Sequence, residues 1–289
     1  MYIACLFIIL LHNGAIKRKL VINMISREFD LAKWYSDVGA DDLVAASPVD
    51  KFAEKKSQDL VNQDTVMTNT KLAQPEKKIP SIAQAATLAA TLAENAATLA
   101  DLEKAVREFD GLLIKKTANK TVFAEGNPKA KIMLVGEAPG ANEDMEGRPF
   151  CGVSGKLMDE MFAAIGHSRA KNLYITNTIF WRPPGNRRPT PDELAICKPF
   201  VEKHVALVNP DLLVMVGSTA AEALKGDKSA MSGQRGKFSK YSNRFLERVI
   251  PAMVIFHPSY LLRQPSQKKL AWQDLIKIKH FIEGKIHNI

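Results

Sequence analysis

The chain has 289 residues, of which 46% are hydrophobic, and its 40 Lys and Arg outnumber 31 Asp and Glu to give a formal net charge of +9. This length and composition fit a soluble globular protein with one main domain and extensions, and exclude a wholly disordered chain. The positive charge favours polyanionic partners, because Lys and Arg release counterions from phosphates, although many proteins without nucleic-acid partners are equally basic.

Two features of the sequence bear on the location of the protein. Cys5, Cys151 and Cys197 show no paired framework and no C-x-x-C spacing, which favours a reducing compartment. The apolar run at residues 3–11 is too short to span a bilayer, and basic residues follow it, whereas a secretory signal has its charge in front. We therefore expect a cytoplasmic protein without a membrane anchor. Residues 1–23 form a doubtful leader, and one hypothesis is that the true start is Met24.

The next segments predict a helical extension. Residues 24–52 have apolar side chains at helical spacing and predict a short helical segment, which either caps the main domain or docks a protein partner. Residues 53–80 are rich in Lys, Gln, Asn, Thr and Asp and predict a disordered linker. Residues 81–106 predict one Ala-rich helix. Its apolar stripe would lie on the main domain or on a partner, and consists of Leu88, Leu92, Leu99, Leu102 and Val106.

Strands and helices alternate in the main domain, residues 107–289. Apolar runs at 132–135, 173–175, 212–216 and 253–256 predict four buried strands. A capping box with proline at the first helical position, Thr190 to Glu193, predicts the start of a long helix between the second and third strands. The alternation predicts a three-layer α/β/α fold with a central, mainly parallel four-stranded sheet, preceded by the N-terminal helical extension.

Two loops with ligand-type residues follow predicted strands. The first, Gly136–Gly140 (Gly-Glu-Ala-Pro-Gly), comes after the run at 132–135, and the second, His257–Arg263 (His-Pro-Ser-Tyr-Leu-Leu-Arg), comes after the run at 253–256. In open α/β sheets, ligands bind in a crevice outside the carboxyl ends of the strands. The two loops therefore predict one shared crevice.

These loops resemble the two signature motifs of the family 4 uracil-DNA glycosylases, and Arg182–Arg187 with Pro189–Pro191 between them also matches that family. The resemblance extends over residues 109–282. It implies a central parallel sheet flanked by helices and a monofunctional enzyme that excises uracil from DNA, initiating base-excision repair. Two alternatives stay open: a non-catalytic DNA-binding or polymerase-associated module of the same fold, and a glycosylase for another deaminated base.

The chemistry of base excision assigns roles to individual side chains. The target base must leave the stack, so the site needs an aromatic ring, for which Phe150 is the candidate. Asn177, just past a predicted strand, would accept from N3–H and donate to O4 of uracil, and His257 would donate to O2 as the base departs. Glu137 and Glu143 are both candidates for orienting water. Each side chain also has a structural interpretation, such as core packing for the ring and a turn for the amide.

The remaining candidates surround the base or contact DNA. Leu261 or Leu262 would wedge into the gap that the flipped base leaves, and the arginines would hold phosphates unless their loop is merely solvated. The expected substrate-binding residues besides the ring and the amide are Gly136, Ala138 and Asn186. The expected DNA-binding residues are Arg182, Arg187, Ser259, Leu261, Leu262 and Arg263.

One departure from the family concerns its usual [4Fe–4S] cluster. The resemblance places Phe109, Leu112, Trp181 and Cys197 at the four positions where the family has cysteines. One thiolate cannot hold a four-iron cluster, and the three large apolar residues could fill its volume. We therefore expect no cofactor and no metal. The expected partner is uracil-containing DNA, the expected state is a monomer, and the N-terminal helices are a candidate docking segment for a protein.

Overall fold

The computed structural model describes residues 80–286. The predictions for residues 1–23, 24–52 and 53–79 lie outside this described part. Within residues 80–286, every helix is too short or too polar to cross a bilayer.

A six-stranded sheet forms the centre of the described part, with the strand order β1-β3-β2-β4-β6-β5. Its four central strands run parallel, which confirms the predicted sheet, and two short edge strands pair antiparallel to extend it. The strands are β1 (Glu125–Gly126), β2 (Ile132–Gly136), β3 (Leu173–Asn177), β4 (Leu212–Val216), β5 (Phe238–Tyr241) and β6 (Ile250–Ile255).

Helices cover both faces of this sheet. They are α1 (Ile82–Asn95), α2 (Leu99–Glu108), α3 (Ile114–Thr117), α4 (Ala141–Glu146), α5 (Val153–Ala163), α6 (Pro191–Val208), α7 (Ser218–Lys225), α8 (Met231–Gln234), α9 (Pro258–Arg263) and α10 (Lys268–Ile282). The predicted start of α6 is confirmed, because the Thr190 hydroxyl accepts from Glu193 N–H and Pro191 occupies the first turn.

Alternate residues of each central strand enter two separate cores, as expected for a sheet covered on both faces. Met133 and Val135 of β2 pack with α1, α2, α6 and α7, whereas Ile132 and Leu134 pack with α5 and α10. The protein therefore has the predicted three layers.

The Ala-rich segment forms two helices, α1 and α2, instead of the single predicted helix. The break falls at Ala96–Thr98, where the Thr98 hydroxyl accepts from Asp101 N–H and the Asp101 carboxylate accepts from Thr98 N–H. In this capping box, side chains accept from the N–H groups of Thr98 and Asp101. In a continuous helix, those N–H groups would donate to carbonyls of the preceding turn. In α1 the predicted leucine stripe is wrong for Leu88, which is 46% exposed, whereas Leu92 is partly buried and packs on the core. The helix packs on α6 mainly through small side chains. The buried residues of α1 are Ala85, Ala89 and Ala93.

The order of the strands determines where a crevice can form. From β2 the chain moves to β3 on one side and then to β4 on the other side of β2. This reversal leaves an open crevice outside the carboxyl ends of β2 and β4, next to that of β6.

Candidate active site

A cleft of about 1260 Å³ lies at the carboxyl ends of the central strands. It contains residues from the loops after β2, β4 and β6, so the two loops singled out in the sequence do share one crevice. The predicted site residues that line it are Glu137, Ala138, Glu143, Phe150, Asn186, Arg187, His257, Ser259 and Arg263.

The Phe150 ring packs against the backbone of Gly136 and beside the His257 ring. The Phe150 ring is buried, and its centroid lies 5.6 Å from that of the His257 ring. A Cβ on Gly136 would lie 2.4 Å from Phe150 Cζ and 2.5 Å from Asn177 Oδ1. Both distances are below van der Waals contact, so only glycine allows the ring and the amide to approach the backbone this closely.

Asn177 ends β3 and is only 1% exposed, yet neither Oδ1 nor Nδ2 of its amide has a hydrogen-bond partner among the described residues. A buried polar group without a partner costs about 1–3 kcal/mol. Its donor and acceptor together match a ligand that offers one acceptor and one donor, as the O4 and N3–H edge of uracil does. The amide does not line the cleft itself but lies beside Gly136, at the tip of the Phe150 ring.

The protonation state of His257 follows from its neighbours. Its Nδ1 accepts from the backbone N–H of Ser259 at 3.2 Å and lies 2.8 Å from the Ser259 hydroxyl oxygen. An Nδ1 that accepts leaves the ring proton on Nε2, which makes that atom a donor. Burial lowers the pKa of His257, partly offset by the Glu137 carboxylate. The neutral imidazole with an Nε2–H donor is thus the favoured form.

Glu143, one of the two carboxylates considered for orienting water, is tied to the backbone of its own loop region. One of its carboxylate oxygens accepts from the N–H groups of Cys151 and Gly152, both at 2.9 Å, and the other accepts from Gly140 N–H at 3.0 Å. Three backbone donors therefore hold this carboxylate, and it fixes the loop that carries Phe150. Its hydrogen bonds leave Glu137 as the better candidate for contact with water.

Glu137 lines the cleft and is held by a short chain of side chains. Its Oε2 accepts from the Thr219 hydroxyl at 2.5 Å, and Thr219 in turn accepts from Arg188 Nε at 2.9 Å. Thr219 was not singled out in the sequence. The available signal was the position of Gly217–Thr219 directly after β4, at the reversal of strand order.

The residues expected to contact DNA differ in how far their side chains are exposed. Leu261 is 1% exposed and packs in a core with Phe256 and Ala271, whereas Leu262 is 41% exposed. Of the two leucines, only Leu262 is placed to act as a wedge. Arg263 is exposed at the end of α9, close enough to His257 to lower its pKa.

The loop before α6 holds its arginines by internal bonds. Both Nη atoms of Arg187 donate to the Glu193 carboxylate, at 2.9 and 2.6 Å, and Arg182 Nε donates to Asn186 Oδ1 at 2.7 Å. Asn186 has a φ of 54°, so this residue shapes the turn. These bonds orient Arg182 and Arg187, and phosphate contacts would have to use their remaining N–H groups.

The four positions that correspond to cluster ligands in the family all lie in one hydrophobic core. Phe109, Leu112, Trp181 and Cys197 are each at most 7% exposed. The Phe109 ring stacks on Trp181, with centroids 6.3 Å apart. Burial raises the pKa of the Cys197 thiol well above its usual range, so a metal-binding thiolate is disfavoured there. These residues do not fit an iron–sulfur cluster.

Comparison with known proteins adds independent information. The sequence profile of the uracil DNA glycosylase superfamily matches residues 123–276. A type-4 uracil-DNA glycosylase from Sulfurisphaera tokodaii is 37% identical over 162 residues, which cover 55% of this chain and 73% of that protein. One from Thermotoga maritima is 39% identical over 165 residues, covering 56% of this chain and 83% of that protein. One from Archaeoglobus fulgidus is 36% identical over 167 residues, which cover 57% of this chain and 83% of that protein.

Proposed function

The chain belongs to the uracil-DNA glycosylase superfamily, and on that premise we propose that it excises uracil from DNA by hydrolysing the N-glycosidic bond, the first step of base-excision repair. The observation that carries this proposal is the buried, unpartnered amide of Asn177 beside the cleft. Uracil offers that amide both a donor and an acceptor. The free energy that the free protein loses there is recovered when the base binds.

In this mechanism the uridine leaves the duplex stack and its base lies on the Phe150 ring. Asn177 accepts from N3–H and donates to O4. His257 donates from Nε2 to O2, and this bond strengthens as negative charge develops on the departing base. The hydrogen bond to Ser259 N–H keeps the ring in the required tautomer.

Glu137 takes the remaining role, which is to orient the attacking water and to stabilise positive charge on the sugar. The Thr219 hydroxyl holds one of its oxygens. Leu262 fills the gap in the duplex, and Arg263, Arg182 and Arg187 contact phosphates from the cleft and its rim, with Ser259 at the loop backbone.

We propose that the protein acts without an iron–sulfur cluster. The packing of Phe109 against Trp181, and of both with the buried Cys197 in one core, supports this proposal. The catalytic steps above use no metal. We also propose that the enzyme is a cytoplasmic monomer. The free thiols at Cys151 and Cys197 fit a reducing compartment.

The test uses an oligonucleotide with a single dU, separated on a gel before and after alkali. We expect strand cleavage only after alkali, because a monofunctional glycosylase leaves an abasic site intact. Matched oligonucleotides with cytosine or hypoxanthine in place of uracil should stay uncut. Absence of cleavage would favour a non-catalytic module, and preferential cleavage at hypoxanthine would favour a glycosylase for another deaminated base.

A further inference from the structure

The cleft continues beyond the residues that the proposed mechanism uses. We call its second part the flank half, which is lined by Met231, Ser232, Phe256, Tyr260, Gln267 and Leu270. The whole cleft, about 1260 Å³, exceeds the roughly 300–1,000 Å³ that encloses an entire drug-sized ligand. A flipped uridine therefore leaves the flank half unfilled.

Two aromatic rings form one wall of the flank half. The centroids of the Phe256 and Tyr260 rings lie 5.0 Å apart. Phe256 is almost fully buried, whereas Tyr260 is half-buried, and both residues line the cleft. Base–aromatic stacking tolerates every base, because each has a π-face.

Arg235 makes this wall rigid. Its Nε and Nη2 donate to the buried Asp274 carboxylate at 3.0 and 2.6 Å, and Nη2 also donates to Leu270 O at 2.8 Å. The guanidinium carbon lies 5.2 Å from the centroid of the Phe256 ring. The neighbouring Gly236 has a φ of 64°, and a Cβ there would lie 2.0 Å from Asp274 Oδ1. The wall is thus already ordered before any ligand binds.

The basic rim of the flank half and its continuity with the uracil site indicate which ligand it binds. Arg263 lines the cleft, and Lys268 is exposed directly after Gln267, so the rim of the flank half is basic. The flank half and the uracil site belong to one continuous cleft. A ligand with an aromatic face and a negative backbone, joined to the uridine, fits these features.

We propose that the flank half binds the nucleotide next to the excised uridine on the same strand, with its base stacked on Tyr260. This inference rests on the proposed function. The protein then contacts two adjacent unstacked nucleotides, which favours single-stranded DNA, where separating neighbouring bases costs least.

The test removes the neighbouring base from the substrate. Single-stranded oligonucleotides with one dU are compared with oligonucleotides in which a tetrahydrofuran abasic analogue replaces the nucleotide on the 5′ or the 3′ side. With the wild-type chain, we expect kcat/KM for uracil release to fall about 5- to 100-fold for one of the two sides, as stacking energies imply. Tyr260→Ala should lower kcat/KM on the intact substrate by a similar factor and should respond no further to removal of that base.

Two variants complete the experiment. Tyr260→Phe keeps the ring and should keep the dependence on the neighbouring base. Trp272→Ala removes an exposed aromatic ring outside the cleft and should leave both rates as in wild type. The proposal is overturned if the wild-type chain ignores removal of either base, or if the effects of Tyr260→Ala and base removal multiply independently. Failure to release uracil from every oligonucleotide would instead defeat the proposed function.

Discussion

Buried polar side chains beside the cleft fall into two groups according to their hydrogen bonds. Glu143 and Asp144 are both saturated, the first by three backbone N–H groups and the second by Asn119 and Lys120. Asn177 has no hydrogen-bond partner within residues 80–286. The carboxylates stabilise the loop, whereas the amide costs folding free energy, which is the pattern expected of a group reserved for a ligand.

The sequence singled out Glu137, Glu143 and Asn177 as candidates but could not separate the roles of the two glutamates. Glu137 and Glu143 lie in the same loop region, and the choice between them depends on where backbone N–H groups point, which residue spacing does not reveal. The same limit applied to Leu261 and Leu262. Adjacent positions on a helix point about 100° apart, and only the packing of Leu261 against Phe256 decides which of the two is exposed.

Replacing Glu137 and Glu143 one at a time distinguishes a catalytic role from a structural role. We expect Glu137→Gln to lower the single-turnover excision rate by about 10²-fold with little change in thermal stability, because it removes the charge that orients water. Glu143→Gln should instead lower the free energy of unfolding by about 1–3 kcal/mol, because an amide cannot accept from three donors as a carboxylate does. Single-turnover rates and urea denaturation of both variants check this. Equal stability losses, or a larger rate loss in Glu143→Gln, would contradict the assignment.

Asn177→Asp changes which base the site prefers. Aspartate can accept from cytosine N4 and, when protonated, donate to N3, whereas uracil O4 would face a carboxylate oxygen. Each buried mismatch costs about 1–3 kcal/mol, so uracil release should slow and weak cytosine release should become detectable from single-stranded or mismatched DNA. The released bases are identified by mass spectrometry. A variant with full uracil activity and no cytosine release would show that Asn177 does not read the base.

At the scale of elements, strongly apolar patterns were predicted well and short or polar ones were missed. The four central strands have continuous buried runs, which is the signal that a parallel sheet requires. Strands β1 and β5 have only two and four residues and no run of that kind, so nothing in the sequence marked them. The division between α1 and α2 had a signal, Thr98-x-x-Asp101, which the continuous alanine pattern obscured.

Substitutions in α1 can show whether its alanines or its leucines face the core. Ala89 is fully buried against α6, so Ala89→Leu should overpack the contact and destabilise the fold by about 1–3 kcal/mol. Leu88 is exposed, so Leu88→Ala should change stability by less than about 0.5 kcal/mol. Thermal denaturation of the two variants measures both effects. A greater loss from Leu88→Ala would mean that the leucines face the core.

At the scale of the whole molecule, one topological feature assembles the site. The reversal of strand order at β2 brings the ends of β2, β4 and β6 to one crevice, and with them Glu137, Thr219 and His257. These residues are far apart in the sequence. A parallel sheet brings these three residues to the same edge, so their proximity could be expected from the sequence. Their hydrogen bonds depend on loop conformations, which the sequence does not reveal.

Acid stability depends on a buried histidine in the core. His204 lies 2.8 Å from Tyr174 Oη and stacks on Phe123, and burial lowers its pKa to about 3. An unfolded histidine has a pKa of about 6.5, so between about pH 6.5 and 3 the unfolded state binds a proton that the folded state does not. The free energy of unfolding should therefore decrease as the pH falls through this range.

His204→Phe should remove this part of the pH dependence, because phenylalanine can stack on Phe123 but does not titrate. Urea denaturation at several pH values between 7.5 and 4 measures the slope. His280→Phe, at an exposed position of α10, is the matched control and should keep the wild-type slope. Identical slopes in the wild-type chain and in His204→Phe would refute a neutral, buried His204.

The central claim is that this chain excises uracil with side chains alone, without an iron–sulfur cluster. The most direct measurement determines iron content and uracil release on the same preparation of the full chain, purified without added metal. We predict stoichiometric single-turnover release of uracil from a dU oligonucleotide by a colourless protein with only trace iron. Stoichiometric iron with absorbance near ~400 nm, or an iron-free protein that releases no uracil, would contradict the account.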